Sequence, residues 1–249
     1  MKTLIALLVF GMLASVALAG NITGTVTYDG DAPARPALTA TKDQHCVDAV
    51  KGTKSEALVV SKGKGIKNVV IHARVRGGKV TLPEENPKMD QVGCAYYPHV
   101  LVVPVGATVE LVSSDPVAHN VHSHAQKNEA VNTLIPKPGI VIPHTIEKAE
   151  EIKFTCDIHA WMTGYIVAVN SNFYTVTGYK DAEDKWISSD AYEKSTDTGK
   201  YTLKGVPAGT VRVVAWHEEL GSANKRVEVP ASGDITVNFT SADFKKKAK

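Results

Sequence analysis

The chain has 249 residues, with 28 Lys and Arg against 26 Asp and Glu, for a formal net charge of +2. That balance lacks the basic excess a phosphate backbone demands and argues against a nucleic-acid partner. The three cysteines are an odd number, so at least one thiol stands outside any intrachain disulfide.

Residues 1–19 read as an export signal. Lys2 supplies a positive start, Leu4 to Val16 an apolar stretch, and Ala17-Leu18-Ala19 a small-x-small cleavage pattern. The apolar stretch is too short and too rich in small residues for a membrane span, and no later run approaches that length. The expected mature protein is periplasmic or secreted, with no stable membrane insertion after signal cleavage.

Beyond the signal, nearly every patterned segment alternates with period two, which puts successive side chains on opposite faces of a strand. Ile22–Tyr28, Thr108–Val112, Glu151–Cys156, Lys200–Leu203, Thr210–Val214 and Asp234–Phe239 all do so. The shorter apolar runs at 68–71, 100–103 and 165–169 suit strands buried on both faces. No segment of helical length carries a 3.6-residue stripe, and the polar stretch 181–194 reads as an inserted loop or short helix. The expectation is an all-β chain: a β-sandwich followed by a smaller β unit that could form a small sandwich of its own. The division falls near Asn170–Asn172, giving a domain at 20–170 with an N-terminal extension and a module at 171–249.

Cys46 and Cys94 sit among turn-type residues with no metal-ligand spacing around them. The economical arrangement pairs them and leaves Cys156 for another role; three reduced, buried thiols are the alternative. A bridge closing a loop of nearly fifty residues adds roughly 2–4 kcal/mol.

Strand parity delivers Cys156 from the core face, together with Ile152 and Phe154. His159 and Met162 follow at spacings of three and three, so one short loop can present sulfur, imidazole and thioether around a single point. A thiolate, one or two imidazoles and a weak thioether form the soft donor set that selects copper in a trigonal site. The segment 115–124 offers the further imidazole from His119, His122 or His124. In an extended chain His122 and His124 face one way and His119 the other, and parity does not say which is chosen.

Ala118-His119-Asn120-Val121-His122, followed by Cys156-Asp-Ile-His159-Ala-Trp-Met162, resembles the blue-copper cupredoxins, nearest the amicyanin and plastocyanin-like branch. The likeness covers roughly 95–170. It implies a cupredoxin-like Greek-key β-sandwich holding one type 1 copper. His119 would be the first ligand, Cys156 the thiolate, His159 the second imidazole and Met162 the axial thioether. Asn120 would hydrogen-bond across to the ligand loop, and His122 and His124 would be solvent-edge groups or extra metal ligands. Ala118 and Ala160 stand where relatives carry proline, which leaves potential and loop rigidity open. The implied function is single-electron transfer between transient redox protein partners, with the His159 ring edge as the electron exit if its loop reaches the surface, and no enzymatic activity. A periplasmic copper carrier, store or sensor is the alternative. The strand–turn–strand rhythm of 197–216 resembles the carboxypeptidase regulatory-like (transthyretin-like) β modules, which usually lack catalysis.

Overall fold

The computed structural model describes residues 18–178 and 187–246; the body of the expected export signal, at 1–17, lies outside the described residues. Among the described residues no helix is long and apolar enough to cross a membrane. The chain is all-β, with strands β1 (Ala19–Thr27), β2 (Val70–Arg74), β3 (Lys88–Val92), β4 (Ala95–Tyr97), β5 (Val100–Pro104) and β6 (Thr108–Ser113). There follow β7 (His119–Ser123), β8 (Asn132–Ile135), β9 (Val141–Thr145), β10 (Glu150–Thr155), β11 (Thr163–Val169) and β12 (Tyr174–Val176). The last strands are β13 (Lys200–Pro207), β14 (Gly209–His217), β15 (Gly221–Val229), β16 (Asp234–Thr236) and β17 (Phe239–Thr240). Two short helices, α1 (Gln44–Val50) and α2 (Ser189–Lys194), interrupt them.

The first sandwich packs the sheet β4-β3-β6-β9 on the sheet β5-β11-β10-β7-β8. The alternation seen in the sequence appears as alternating burial along β6 and β10. Their inward residues, Val109, Leu111, Ile152 and Phe154, are fully buried in one core with Cys156 and Met162. Gly164 on β11 permits close packing here, since a Cβ would lie 2.6 Å from the Cβ of Tyr96. That approach seats the Tyr96 hydroxyl, which donates to the Thr155 carbonyl at 2.7 Å.

The second sandwich does not follow the linear division expected near 170–172. β1 runs antiparallel to β13 and parallel to β16 and β17, while β2 lies between β12 and β14. Residues from both ends of the chain therefore share one core: Ile22, Val26 and Ile71 pack with Leu203, Val213 and Phe239. Hydrogen bonding places the first sandwich as an insertion between β2 and β12. The reason the sequence concealed this is physical, because period-two alternation marks a strand but carries no information about its partner. Val70, Val100, Val167, Val169 and Trp216 form the apolar seam joining the two sandwiches, reinforced by the His99 imidazole on the Glu218 carboxylate.

Two further local differences concern helices. Gln44–Val50, expected as turn-type sequence, forms α1, whose one-sided burial of Cys46 and Val50 is too short to register as a stripe. The ambiguous stretch 181–194 ends in α2, with Ser188 accepting the Ala191 N–H as its cap, and residues 181–186 lie outside the described residues.

Candidate metal centre

β7 and the loop after β10 converge at one end of the first sandwich. His119 faces inward at the start of β7, and Cys156 leaves the end of β10 on the core face. His119, Cys156, His159 and Met162 are each at most 2% exposed. The Nδ1 atoms of His119 and His159 lie 2.9 Å apart, and the Cys156 Sγ lies 3.8 Å from His159 Nδ1. The Met162 amide donates to the His159 carbonyl at 2.9 Å, closing the loop into a tight turn that buries the thioether.

The outer nitrogens are occupied. His119 Nε2 lies 2.8 Å from Asp115 Oδ2, and His159 Nε2 lies 2.7 Å from Asp43 Oδ2. An ionised carboxylate only accepts, so each Nε2 carries a proton, and the two rings turn their Nδ1 atoms inward to face each other. Two lone pairs 2.9 Å apart repel each other unless a proton or a metal cation stands between them.

Charge around the thiol follows from the same contacts. Burial pushes Cys156 up, but hydrogen bonding from His119 and from the Asn120, His159 and Ile158 backbone amides outweighs it, leaving the thiol below its ordinary value. The Asn120 N–H lies 3.3 Å from the sulfur. Burial likewise opposes charge on His119, yet the Asp115 carboxylate and the Cys156 sulfur raise it to about 9. Asp115, despite its burial, is held at about 2 by His119, the Cys94 and Gly93 amides and His45. The surroundings thus favour negative charge on the sulfur and positive charge on the His119 ring beside it.

The side chain of Asn120 spans β7 and the ligand loop. Its Oδ1 accepts the Asp157 N–H at 3.0 Å and its Nδ2 donates to Asn132 at 2.6 Å. His122 and His124 lie on the opposite, outward face of β7, His122 against Asp157 and His124 against Thr155. The sulfurs of Cys46 and Cys94 are bonded, and Cys156 is free. Cys46 Sγ, although 3.8 Å from His159 Nε2, is therefore no metal ligand.

One expectation is overturned here. The His159 ring edge does not reach the surface: the ring is 0% exposed, covered by Asp43, the first turn of α1 and the disulfide. Trp161 packs on its remaining side with ring centroids 5.0 Å apart, and its Nε1 donates to the Cys94 carbonyl at 3.1 Å. Trp161 and Met162 also line a cavity of about 470 Å³ between the sandwiches, rimmed by Val92, Tyr97 and Glu218. Cys156 does not line it.

Asp43, Asp115 and His45 were not singled out from the sequence. Asp115 stands four positions before His119 beside a proline, a weak signal for a carboxylate brace. Nothing local marks Asp43, which arrives from a segment that only the fold brings near.

No protein-family profile matches the chain, and no curated protein sequence does. Among solved structures it is similar to a copper-containing nitrite reductase from Thermus scotoductus SA-01, at 28% identity and TM-score 0.33. The alignment covers 39% of this chain and 25% of that one, so the chain spans about a quarter of the reductase. A purple cupredoxin from Nitrosopumilus maritimus aligns at 22% identity and TM-score 0.30, covering 34% of this chain and 100% of that one. A single-site variant of amicyanin in its Cu(I) state aligns at 21% identity and TM-score 0.32, covering 39% and 99%.

Proposed function

We propose that this chain is an exported single-electron carrier whose redox centre is one type 1 copper held by His119, Cys156, His159 and Met162. The observation that carries the reading is the pair of inward-facing Nδ1 atoms, 2.9 Å apart beside a buried thiol held below its ordinary value. The donor chemistry fits: two imidazoles, one thiolate and a thioether suit copper better than harder cations. Bound there, copper supplies the Cu(II)/Cu(I) couple.

The protein's own part is to hold the donors still. Asp115 and Asp43 orient the two rings through their Nε2 protons, which also raises the basicity of each Nδ1. The Asn120 amide donates to the sulfur, and the Asn120 side chain ties Asp157 to β7, so the ligand loop and the strand move as one. Ile152, Phe154 and Ile166 keep water out. Rigid donors mean little reorganisation when one electron arrives or leaves.

A cysteine, an imidazole and a carboxylate in line are also the members of a cysteine hydrolase site. Here the thiol is buried and does not line the cavity between the sandwiches, which supports a role without catalysis. The same burial slows metal exchange, and this favours electron carriage over a copper carrier or store. With His159 covered, the electron route runs from its ring to Trp161 and the cavity wall. Val92 and Tyr97, 42% and 47% exposed at the rim, offer transient redox partners a small apolar contact. The strand–turn–strand unit of β13 and β14, inside the sandwich that β1 and β2 help to form, joins this reading as a carboxypeptidase regulatory-like element.

The test is a visible spectrum of the copper-loaded, oxidised chain. An intense thiolate-to-copper band, bleached on reduction and one equivalent in size, is expected. A copper-bound chain without such a band would sink the proposal.

A further inference from the structure

The outer face of β7 carries a second cluster of metal-ligating groups that the buried centre does not use. His122 lies on β7 and His124 just past its last residue, two positions on in extended chain, so the two project to the same side. Their rings are stacked, with centroids 4.5 Å apart and planes 27° from parallel. The His122 Nδ1 lies 2.9 and 3.2 Å from the two Asp157 carboxylate oxygens. The His124 Nε2 lies 2.8 Å from Thr155 Oγ1.

We propose that His122 and His124 form a surface binding site for one divalent transition-metal cation, separate from the buried centre. The two hydrogen bonds orient each ring by one nitrogen and leave His122 Nε2 and His124 Nδ1 as donors. Two imidazole–metal bonds of about 2.0–2.1 Å span up to roughly 4.2 Å, so one ion can bridge the pair once the two rings turn their free nitrogens toward it. Asp157 does for His122 what a carboxylate does behind many metal-bound histidines: it fixes the tautomer and strengthens the donor. It also brings a negative charge to the cluster, against the opposing charge of Lys153. The side chain of His122 is 32% exposed and His124 is exposed, so water completes the coordination. Imidazole donors with open positions suit Cu(II), Ni(II) and Zn(II), with Cu(II) the tightest.

The fold explains why the two centres are distinct. β7 parity sends His119 into the core and His122 and His124 out of it, and β10 does the same for Cys156 and Thr155. The outer ion therefore sits on the far face of the strands that hold the buried donors. Its coordination is open where theirs is closed.

Zn(II) titration of the full chain with its buried centre already loaded with copper, followed by calorimetry, tests this directly. One saturable equivalent is expected, weakened roughly tenfold or more by His122→Ala and by His124→Ala, and about tenfold by Asp157→Asn. Cys156→Ser should keep it, and circular dichroism checks that each variant is folded. Absence of a saturable equivalent, or one that both alanine variants leave intact, overturns the site. An equivalent lost only in Cys156→Ser would mean that Zn(II) enters the buried pocket, which overturns it equally.

Discussion

Asp43 accepts the Nε2 proton of His159 at 2.7 Å, although it lies 116 positions earlier in the chain. Asp43 occupies the N-cap of α1, where an aspartate ordinarily accepts a backbone N–H of the first turn, yet its side chain makes no cap hydrogen bond. Its backbone adopts φ 56°, a positive value that a residue with a Cβ rarely takes. A cap is given up and backbone strain is accepted at one position, and both release the carboxylate toward the imidazole.

Replacing that carboxylate should therefore change the redox centre more than the fold. In Asp43→Asn the amide no longer draws proton density from His159 Nε2, so His159 becomes a weaker donor to Cu(II). A tenfold loss of Cu(II) affinity relative to Cu(I) raises the potential by about 59 mV. Voltammetry on the copper-loaded variant should show an upward shift of that order with the visible band retained. An unchanged potential would assign Asp43 to structure alone.

The proposed ligand set should separate into essential and tuning members. His119→Ala should abolish the blue band, because it removes one of the two facing Nδ1 donors. Met162→Leu should keep the band and shift the potential, since an axial thioether is a long, weak contact. Absorption spectra and potentials of the two variants check both outcomes.

The disulfide holds α1, and with it Asp43, against the first sandwich. Cys46→Ser with Cys94→Ser opens a covalent link across 48 positions and should cost roughly 2–4 kcal/mol in urea denaturation. The same double variant frees the lid over His159, so its ring should become accessible to solvent. Hydrogen–deuterium exchange over 43–50 measures that opening.

Acid stability follows from buried imidazoles away from the centre. Desolvation holds His72 at about 4 and His217 at about 3, both below the ordinary 6.5. Each binds its proton more readily unfolded than folded, so its stability contribution is complete above pH 6.5 and is lost as pH falls toward those values. Each group costs up to roughly 1.4 kcal/mol per pH unit over that window. His99 has the opposite sign. Burial opposes its charge, but the Glu218 carboxylate outweighs that and raises it. Its contribution is present below pH 6.5 and is lost as pH rises through the folded value. Denaturation of the wild type and Glu218→Gln across pH 4–9 should show a general loss in acid. The gap between the two proteins should be widest below pH 6.5.

Much of this protein was legible in its residues. Alternation identified β6, β10, β14 and the all-β class, because the period of a strand is a local property of the backbone. Strand parity put Cys156 on the core face and set His119 opposite His122 and His124, again from local geometry. The spacing from Cys156 to His159 to Met162 pointed to one compact loop. What the sequence left open was every relationship between distant segments. β1 and β2 pair with strands more than a hundred positions away, and nothing in their alternation names those partners. The covering of His159 depends on Asp43 arriving from a seven-residue helix too short to show a periodic stripe. Pairing and covering are decided by which hydrophobic faces bury each other once the whole chain is collapsed, and that choice exists only in the tertiary structure.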